Sequence, residues 1–330
     1  MDLTQLWTLT DGHAGNRAQA SALASAIGGT VACEWTLEPR APWRWIAPRM
    51  VIGARHAFGP RFRQSLLQPP GLAIGCGRQA ALATRLLRQR GATTVQILDP
   101  RIDPRHWDLV IAPQHDGLEG SNVITLLGSL NPVDDPWLDA ARVQFVHFSG
   151  LPQPRTAVLL GGTSAHARFD RGAFERLTSN LEVALARDGG SVLVTASRRT
   201  PADLIALLRH RFVEAPGVVW CGPEDGDNPY AGILAWADRI VVTPDSVNMV
   251  SEACATRAPI FVFDPACVSG RPRRFLEALL HSGRIRVMDS VLAAFEVQPL
   301  RETARVARLV HERLGIVGPL GQPWPNSVGT

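Results

Sequence analysis

The sequence contains no lysine; all 34 of its basic residues are arginine. That absence excludes a Schiff-base mechanism, a lysine-anchored pyridoxal-phosphate enzyme and the phosphate-loop lysine of nucleotide hydrolases. Cysteine is scarce, with five scattered residues (Cys33, Cys76, Cys221, Cys254, Cys267) and no C-x-x-C pair. An odd, dispersed set reads as reduced core thiols, not as a disulfide framework. The nine histidines show neither H-E-x-x-H nor any other ligand spacing, so no bound metal and no resident cofactor is expected. Asp225-Gly226-Asp227 has the form of a metal-diphosphate motif but reads more simply as a polar turn before a helix. No stretch approaches the roughly 20 apolar residues of a membrane span. Met1-Asp2 opens without a basic segment ahead of an apolar block, so no secretory signal is expected. The expectation is a soluble, cytoplasmic protein.

What is present suffices for two folded domains. The chain has 330 residues, against roughly 150 per domain. Hydrophobic residues make up 45% and charged residues 19%, enough for a core in each. A net charge of +4 suits anionic small molecules or an anionic membrane surface as well as nucleic acid. Arginine runs interleaved with aromatics are missing, which argues against nucleic acid as a partner.

Short β-branched runs alternate with Gly/Pro/Asp loops and Ala/Leu/Arg-rich helical stretches. Strands are expected at 6–9, 31–36, 50–53, 72–74, 94–98 and 109–112, with an amphipathic helix over 79–90. A segment containing Pro152 and Pro154 has linker chemistry. A second series then follows, with strands at 156–160, 192–195, 218–220, 240–243 and 260–263 and a last helix over 301–313. The tail from Gly318 to Thr330 reads as frayed. The expected fold is α/β: two doubly wound parallel-sheet, Rossmann-like domains facing a cleft. The first, 1–150, would hold the acceptor; the second, 151–330, would hold the donor, with its C-terminal helix returning to the first.

In such sheets ligands bind beyond the carboxyl ends of the strands. Gly161-Gly162-Thr163-Ser164, with Arg168 just beyond, offers a glycine loop before a helix, the usual chemistry of an anion site. Thr195, Ser197, Arg198 and Arg199 follow the next strand, with hydroxyls and guanidiniums suited to a diphosphate. Asn228 and Tyr230, the only tyrosine, open a further helix, with an Asn-Pro turn as the plainer reading. Thr243-Pro244-Asp245-Ser246 leads into a helix carrying Asn248, Met249 and Glu252. A carboxylate at Glu252 can accept both hydroxyls of a ribose, whereas Asp245 and Ser246 can equally cap the helix. In the first half, Gly12, Gly15, Asn16, Gly77, Arg78, His115 and Asp116 follow strands and are acceptor-site candidates. Trp43, Arg44, Trp45, Pro48 and Arg49 combine aromatics with cations, a pattern that docks on an anionic bilayer such as the inner membrane face; buried tryptophans and loop prolines explain it equally.

The segment Thr243 to Pro259, with Glu252 six residues after Ser246, resembles the donor-binding signature of GT-B glycosyltransferases. Likeness to the lipid-linked N-acetylglucosaminyltransferase of peptidoglycan synthesis extends to Gly161-Gly162-Thr163, Arg168 and Gly12-His13. From Thr10-Asp11-Gly12-His13-Ala14-Gly15-Asn16 to Phe263, the chain resembles a bacterial member of the mitochondrial-fission-type (ELM) family first known from plants. The resemblance implies that Glu252 contacts the donor ribose, that Gly162, Thr163, Ser164 and Arg168 line the diphosphate, and that His13 takes the place of a catalytic base. Asp11-Gly12-His13 stands where the transferases carry a glycine-only loop, so either Asp11 or His13 takes the proton.

Three functions compete on this reading. The first is a metal-independent transferase moving a sugar from a nucleoside-diphosphate donor to an unidentified lipid or envelope-glycan acceptor. The second is a nucleotide-sugar epimerase, and the third a non-catalytic membrane-recruitment protein of the fission type. A transferase needs an acceptor proton removed and a diphosphate leaving group stabilised; histidine suits the first task, helix N-termini and arginine the second.

Overall fold

The computed structural model describes residues 5–316; the tail from Gly318 to Thr330 lies outside them. The chain forms two compact units. One takes the chain up to Pro132 together with the segment from Glu302, and the other runs Val133–Arg301.

The first unit contains β1 (Leu6–Thr10), α1 (Ala14–Ala26), β2 (Val31–Thr36), α2 (Trp43–Ile46), α3 (Gly59–Ser65), β3 (Leu72–Cys76), α4 (Arg78–Arg88), β4 (Thr93–Ile97), β5 (Leu109–Pro113) and β6 (Val123–Leu126). Its six strands pair in parallel in the order β2-β1-β3-β4-β5-β6. A parallel sheet covered on both faces needs strands that are apolar throughout, and β3 and β5 are buried at every position. The edge strand β2 alternates instead between half-buried and exposed positions. Thr10 pairs with Cys76, so β1 and β3 end level and their following loops lie side by side.

The second unit contains α5 (Asp135–Gln144), β7 (Arg155–Leu160), α6 (Arg171–Asp188), β8 (Ser191–Ala196), α7 (Ala202–Arg211), β9 (Gly217–Trp220), α8 (Tyr230–Trp236), β10 (Arg239–Val242), α9 (Val247–Cys254), β11 (Ile260–Val262), α10 (Arg271–His281) and β12 (Ile285–Val287). Its sheet is again six-stranded and parallel, in the order β12-β11-β10-β7-β8-β9. Val242 pairs with Leu159 and Val262, and Leu160 with Ala196. The loops after β7, β8, β10 and β11 therefore leave one edge of the sheet together.

The last helix, α11 (Glu302–Leu314), belongs to the first unit. Val306, Ala307 and Val310 enter the core formed by Leu6, Leu23, Ile74 and Ile111. Polar contacts fix its start. The Leu127 N–H donates to Glu302 Oε2 at 3.1 Å, and Thr303 Oγ1 donates to the Asn131 carbonyl at 2.7 Å. Just before it, Arg301 grips Asp135 bidentately at 2.6 and 2.7 Å, closing the second unit.

Three features differ from the sequence reading. The units divide at Pro132–Val133, not at residue 150, because α5 packs on α8. Gly232 makes that packing possible; a Cβ there would lie 2.4 Å from Phe145 Cγ. The apolar run at 50–53 is a surface loop, with Ile52 fully exposed, because no sheet neighbour is available to it. The short strands β6 and β12 sit at sheet edges and were not anticipated. Among the described residues, no helix is long and apolar enough to cross a membrane.

Candidate functional site

In the second unit the glycine loop after β7 closes on itself. Asp245 inserts beneath it with its side chain 1% exposed. Its Oδ2 accepts from the Gly162 N–H at 3.2 Å and from Arg199 at 2.6 Å, and its Oδ1 from the Thr243 hydroxyl at 2.7 Å. Thr243 Oγ1 in turn accepts from the Gly161 N–H at 2.7 Å. A Cβ on Gly161 would fall 2.0 Å from Asp245 Oδ1, and one on Gly162 2.1 Å from the Arg199 carbonyl oxygen. Gly161 is thus required by a carboxylate of the protein itself and Gly162 by the Arg199 backbone, and both of their N–H groups are engaged. Gly161, Gly162, Thr243 and Asp245, all expected at the donor, together form a clamp that shapes the loop.

Around the clamp, Ser164 Oγ accepts from the N–H groups of His166 and Ala167, and Thr163 Oγ1 bridges to the backbone of Phe169. Those turns also occupy Thr163 and Ser164 internally. Arg168 stays exposed, 3.2 Å from Asp170. Thr195 is buried within β8, and Ser197 caps the following turn by accepting from the Arg199 N–H at 3.2 Å. Arg198 is exposed. Thr200, at the end of the same segment, donates to the Gly161 carbonyl at 2.6 Å. A cavity of about 140 Å³ opens beside the loop, lined among others by Arg168, Phe169, Arg176, Phe263 and Asp264. Only Arg168 of these was anticipated, because the loop after β11 carries no motif.

Ser246, not Asp245, caps α9, accepting from the Met249 N–H at 3.4 Å. Asn248 and Met249 lie half-buried in the first turn. Glu252, one turn on from Asn248, receives the Tyr230 hydroxyl at 2.5 Å. Tyr230 is placed by Asn228, whose side-chain oxygen accepts the Tyr230 N–H at 3.0 Å. Burial pushes the Glu252 carboxyl above its usual range, and the Tyr230 hydrogen bond pulls back against it. Burial first, then the charge of Glu252, raises the Tyr230 phenol well above its ordinary value, so it stays protonated and can only donate to its partner. Asp225 of the D-x-D segment accepts from the Cys221 N–H at 2.8 Å and from Arg209 at 2.7 Å, which makes the segment a turn.

In the first unit the loops after β1 and β3 bring Asp11, His13, Asn16 and Gly77 together. Asp11 Oδ1 lies 3.0 Å from His13 Nδ1 and accepts from the His13 N–H at 3.1 Å and Asn16 Nδ2 at 2.9 Å. With Nδ1 turned to the carboxylate, Nε2 is the imidazole atom left to take a proton. The His13 side chain is 79% exposed. Asn16, expected at the acceptor, braces Asp11. Gly77 has φ +89°, and a Cβ there would strike Asn16 Nδ2 at 2.7 Å. Gly12 turns the chain at φ +80°, and Gly15 lies in the first turn of α1. Arg78 is committed elsewhere, donating to the Arg44 and Trp45 carbonyls at 3.1 and 3.5 Å. His115 and Asp116 follow β5, two strands from β3, and are not part of this cluster.

Two parallel six-stranded sheets flanked by helices, with ligand-type loops at the carboxyl ends, define the GT-B-like class. Solved structures agree at the level of the fold. The UDP-N-acetylglucosamine 2-epimerase of Methanocaldococcus jannaschii is 10% identical with a TM-score of 0.54, covering 94% of this chain and 100% of that one. MurG of Acinetobacter baumannii is 14% identical with a TM-score of 0.50, covering 94% and 91%. The chain belongs to the mitochondrial fission ELM1 family, whose model matches residues 14–314. The mitochondrial fission protein ELM1 of Arabidopsis thaliana is 30% identical over 76% of this chain, which spans 65% of the plant protein's length.

Proposed function

We propose that this chain is a glycosyltransferase that moves a sugar from a nucleoside-diphosphate donor to an acceptor hydroxyl without a metal ion. The observation that carries the reading is Glu252, a half-buried carboxylate on α9 held by the chain's only tyrosine at the carboxyl edge of the second sheet. With one oxygen steadied by Tyr230, the carboxylate retains acceptor capacity for the paired hydroxyls of a ribose. The N-terminus of α9, Arg168 and Arg198 supply positive charge for the diphosphate. In the first unit, His13 accepts the proton as the acceptor oxygen bonds to the sugar carbon and the bond to the diphosphate breaks; Asp11 holds the ring. Fold likeness to both transferases and epimerases supports nucleotide-sugar binding, and the family's name supports the recruitment alternative.

Calorimetry with nucleoside diphosphates is the direct test. Each charge-assisted hydrogen bond from Glu252 is worth roughly 1.5–3 kcal/mol, so Glu252→Ala should weaken binding about tenfold or more. Equal affinity in the variant would refute the ribose assignment, and no nucleotide binding at all would favour recruitment. Release of nucleoside diphosphate during turnover separates transfer from epimerisation.

A pH profile tests the Tyr230–Glu252 pair. Only the ionised carboxylate accepts from both ribose hydroxyls, so affinity is full above the raised Glu252 pKa and falls as pH drops through it. Tyr230→Phe removes a donor that favours the ionised form and drives that pKa higher. The fall in affinity should then begin at higher pH than in wild type. Superimposable profiles would show that the tyrosine does not tune the carboxylate.

A further inference from the structure

Between Glu38 and Asp99 the chain has ten arginines and no acidic residue, although its net charge is only +4. This segment runs from the end of β2 through α2, α3, β3 and α4 to the end of β4. Its arginines are little neutralised. Arg88 pairs with Asp108 at 2.8 Å, while among the described residues Arg40, Arg44, Arg49, Arg55, Arg61, Arg63 and Arg90 form no ion pair with a carboxylate. The same segment carries Trp45, Val51, Ile52 and Leu67 at 64%, 45%, 102% and 75% exposure. Val51 and Ile52 share the wall of one open groove of about 720 Å³ with Arg55, Arg85 and Arg90. The loop is firmly held from below: Arg85 donates to the Pro48 carbonyl at 2.6 Å, Arg78 to those of Arg44 and Trp45. Gly53 turns the loop at φ +85° beside the Trp43 ring.

An isoleucine held fully exposed on a braced loop beside unpaired arginines is a specific combination. Water solvates the guanidiniums but not the apolar side chains, whereas an anionic bilayer satisfies both: acyl chains receive the apolar side chains and phosphates the guanidiniums. Nucleic acid would satisfy the charges but leave Ile52 and Leu67 without a partner. We infer that the surface built from α2, the 47–56 loop, α3 and the outer end of α4 docks the first unit on an anionic phospholipid bilayer. Trp45, Ile52 and Leu67 enter the interface, and Arg49, Arg55, Arg63 and Arg90 pair with lipid phosphates. This surface stands apart from the nucleotide reading, since membrane docking requires no turnover and can be measured on an inactive protein.

Co-sedimentation of the full chain with vesicles provides the test. Vesicles of phosphatidylcholine mixed with phosphatidylglycerol should carry the protein down, and pure phosphatidylcholine vesicles should not. Each arginine near an anionic surface contributes about fivefold in binding. The Arg49→Gln/Arg55→Gln/Arg90→Gln variant should therefore bind about a hundredfold more weakly and lose much of its salt dependence. Ile52→Ser/Leu67→Ser should bind about a hundredfold more weakly with the salt dependence intact. All five side chains are exposed, so the variants should melt as wild type does. The inference is overturned if wild type stays in solution with anionic vesicles, or if the double serine variant pellets as wild type does. It is equally overturned if a single-stranded oligonucleotide binds more tightly than the vesicles.

Discussion

Replacing His13 by alanine should lower turnover by about 10²–10⁴-fold, the range a general base supplies, while leaving nucleoside-diphosphate affinity within about twofold. The reason is spatial and chemical. His13 lies in the loop after β1 of the first unit, whereas the proposed nucleotide contacts all come from the second. Its ring is oriented by Asp11 at 3.0 Å, and Asp11 is itself held by Asn16. Asp11→Asn should reproduce most of the loss, because an amide at that position no longer fixes the tautomer with Nε2 unprotonated. Steady-state assays of diphosphate release on both variants, beside calorimetry, check this. Normal turnover in His13→Ala would remove it from the chemistry.

Asp245→Ala should strongly destabilise the second unit. The substitution strands the Gly162 N–H inside the protein, leaves the Thr243 hydroxyl only the Leu159 carbonyl at 3.5 Å, and leaves Arg199 without its carboxylate. Unsatisfied buried donors cost about 1–3 kcal/mol each. Because Arg199 is 44% exposed, water recovers part of its loss. A net destabilisation of about 3 kcal/mol follows, a fall in melting temperature of roughly 6–12 °C for a unit of this size. A melt unchanged within about a degree would show that the clamp adds nothing. Calorimetric binding on the folded fraction separates loss of loop shape from loss of stability.

The fold was legible where burial dictates composition. Strands covered on both faces, such as β3 and β5, must be apolar at each position, and helices such as α4 must present one apolar stripe. The same rule misreads Met50 to Gly53, where apolar residues are exposed and nothing in the local pattern distinguishes them from a strand. Within the candidate site, residue types were legible but their division of labour was not. Gly161 and Gly162 look like a ligand cradle, yet the atoms they make room for belong to Asp245 and to the Arg199 backbone, both remote in sequence. Tyr230 looked like part of a turn because its partner, Glu252, lies beyond an intervening strand. Such pairings are set by strand order, which short-range periodicity does not encode.

The place of α11 has a consequence for synthesis. Topologically, Val133–Arg301 is an insertion into a unit whose final helix is made after it. The inserted unit leaves the ribosome with its whole sheet and core ahead of α11. The first unit must wait, its six strands available but its core lacking Val306, Ala307 and Val310. Nascent chains of this protein should therefore mature in the reverse of the usual amino-to-carboxyl order, with the apolar face near Leu23 and Ile27 uncovered until α11 arrives.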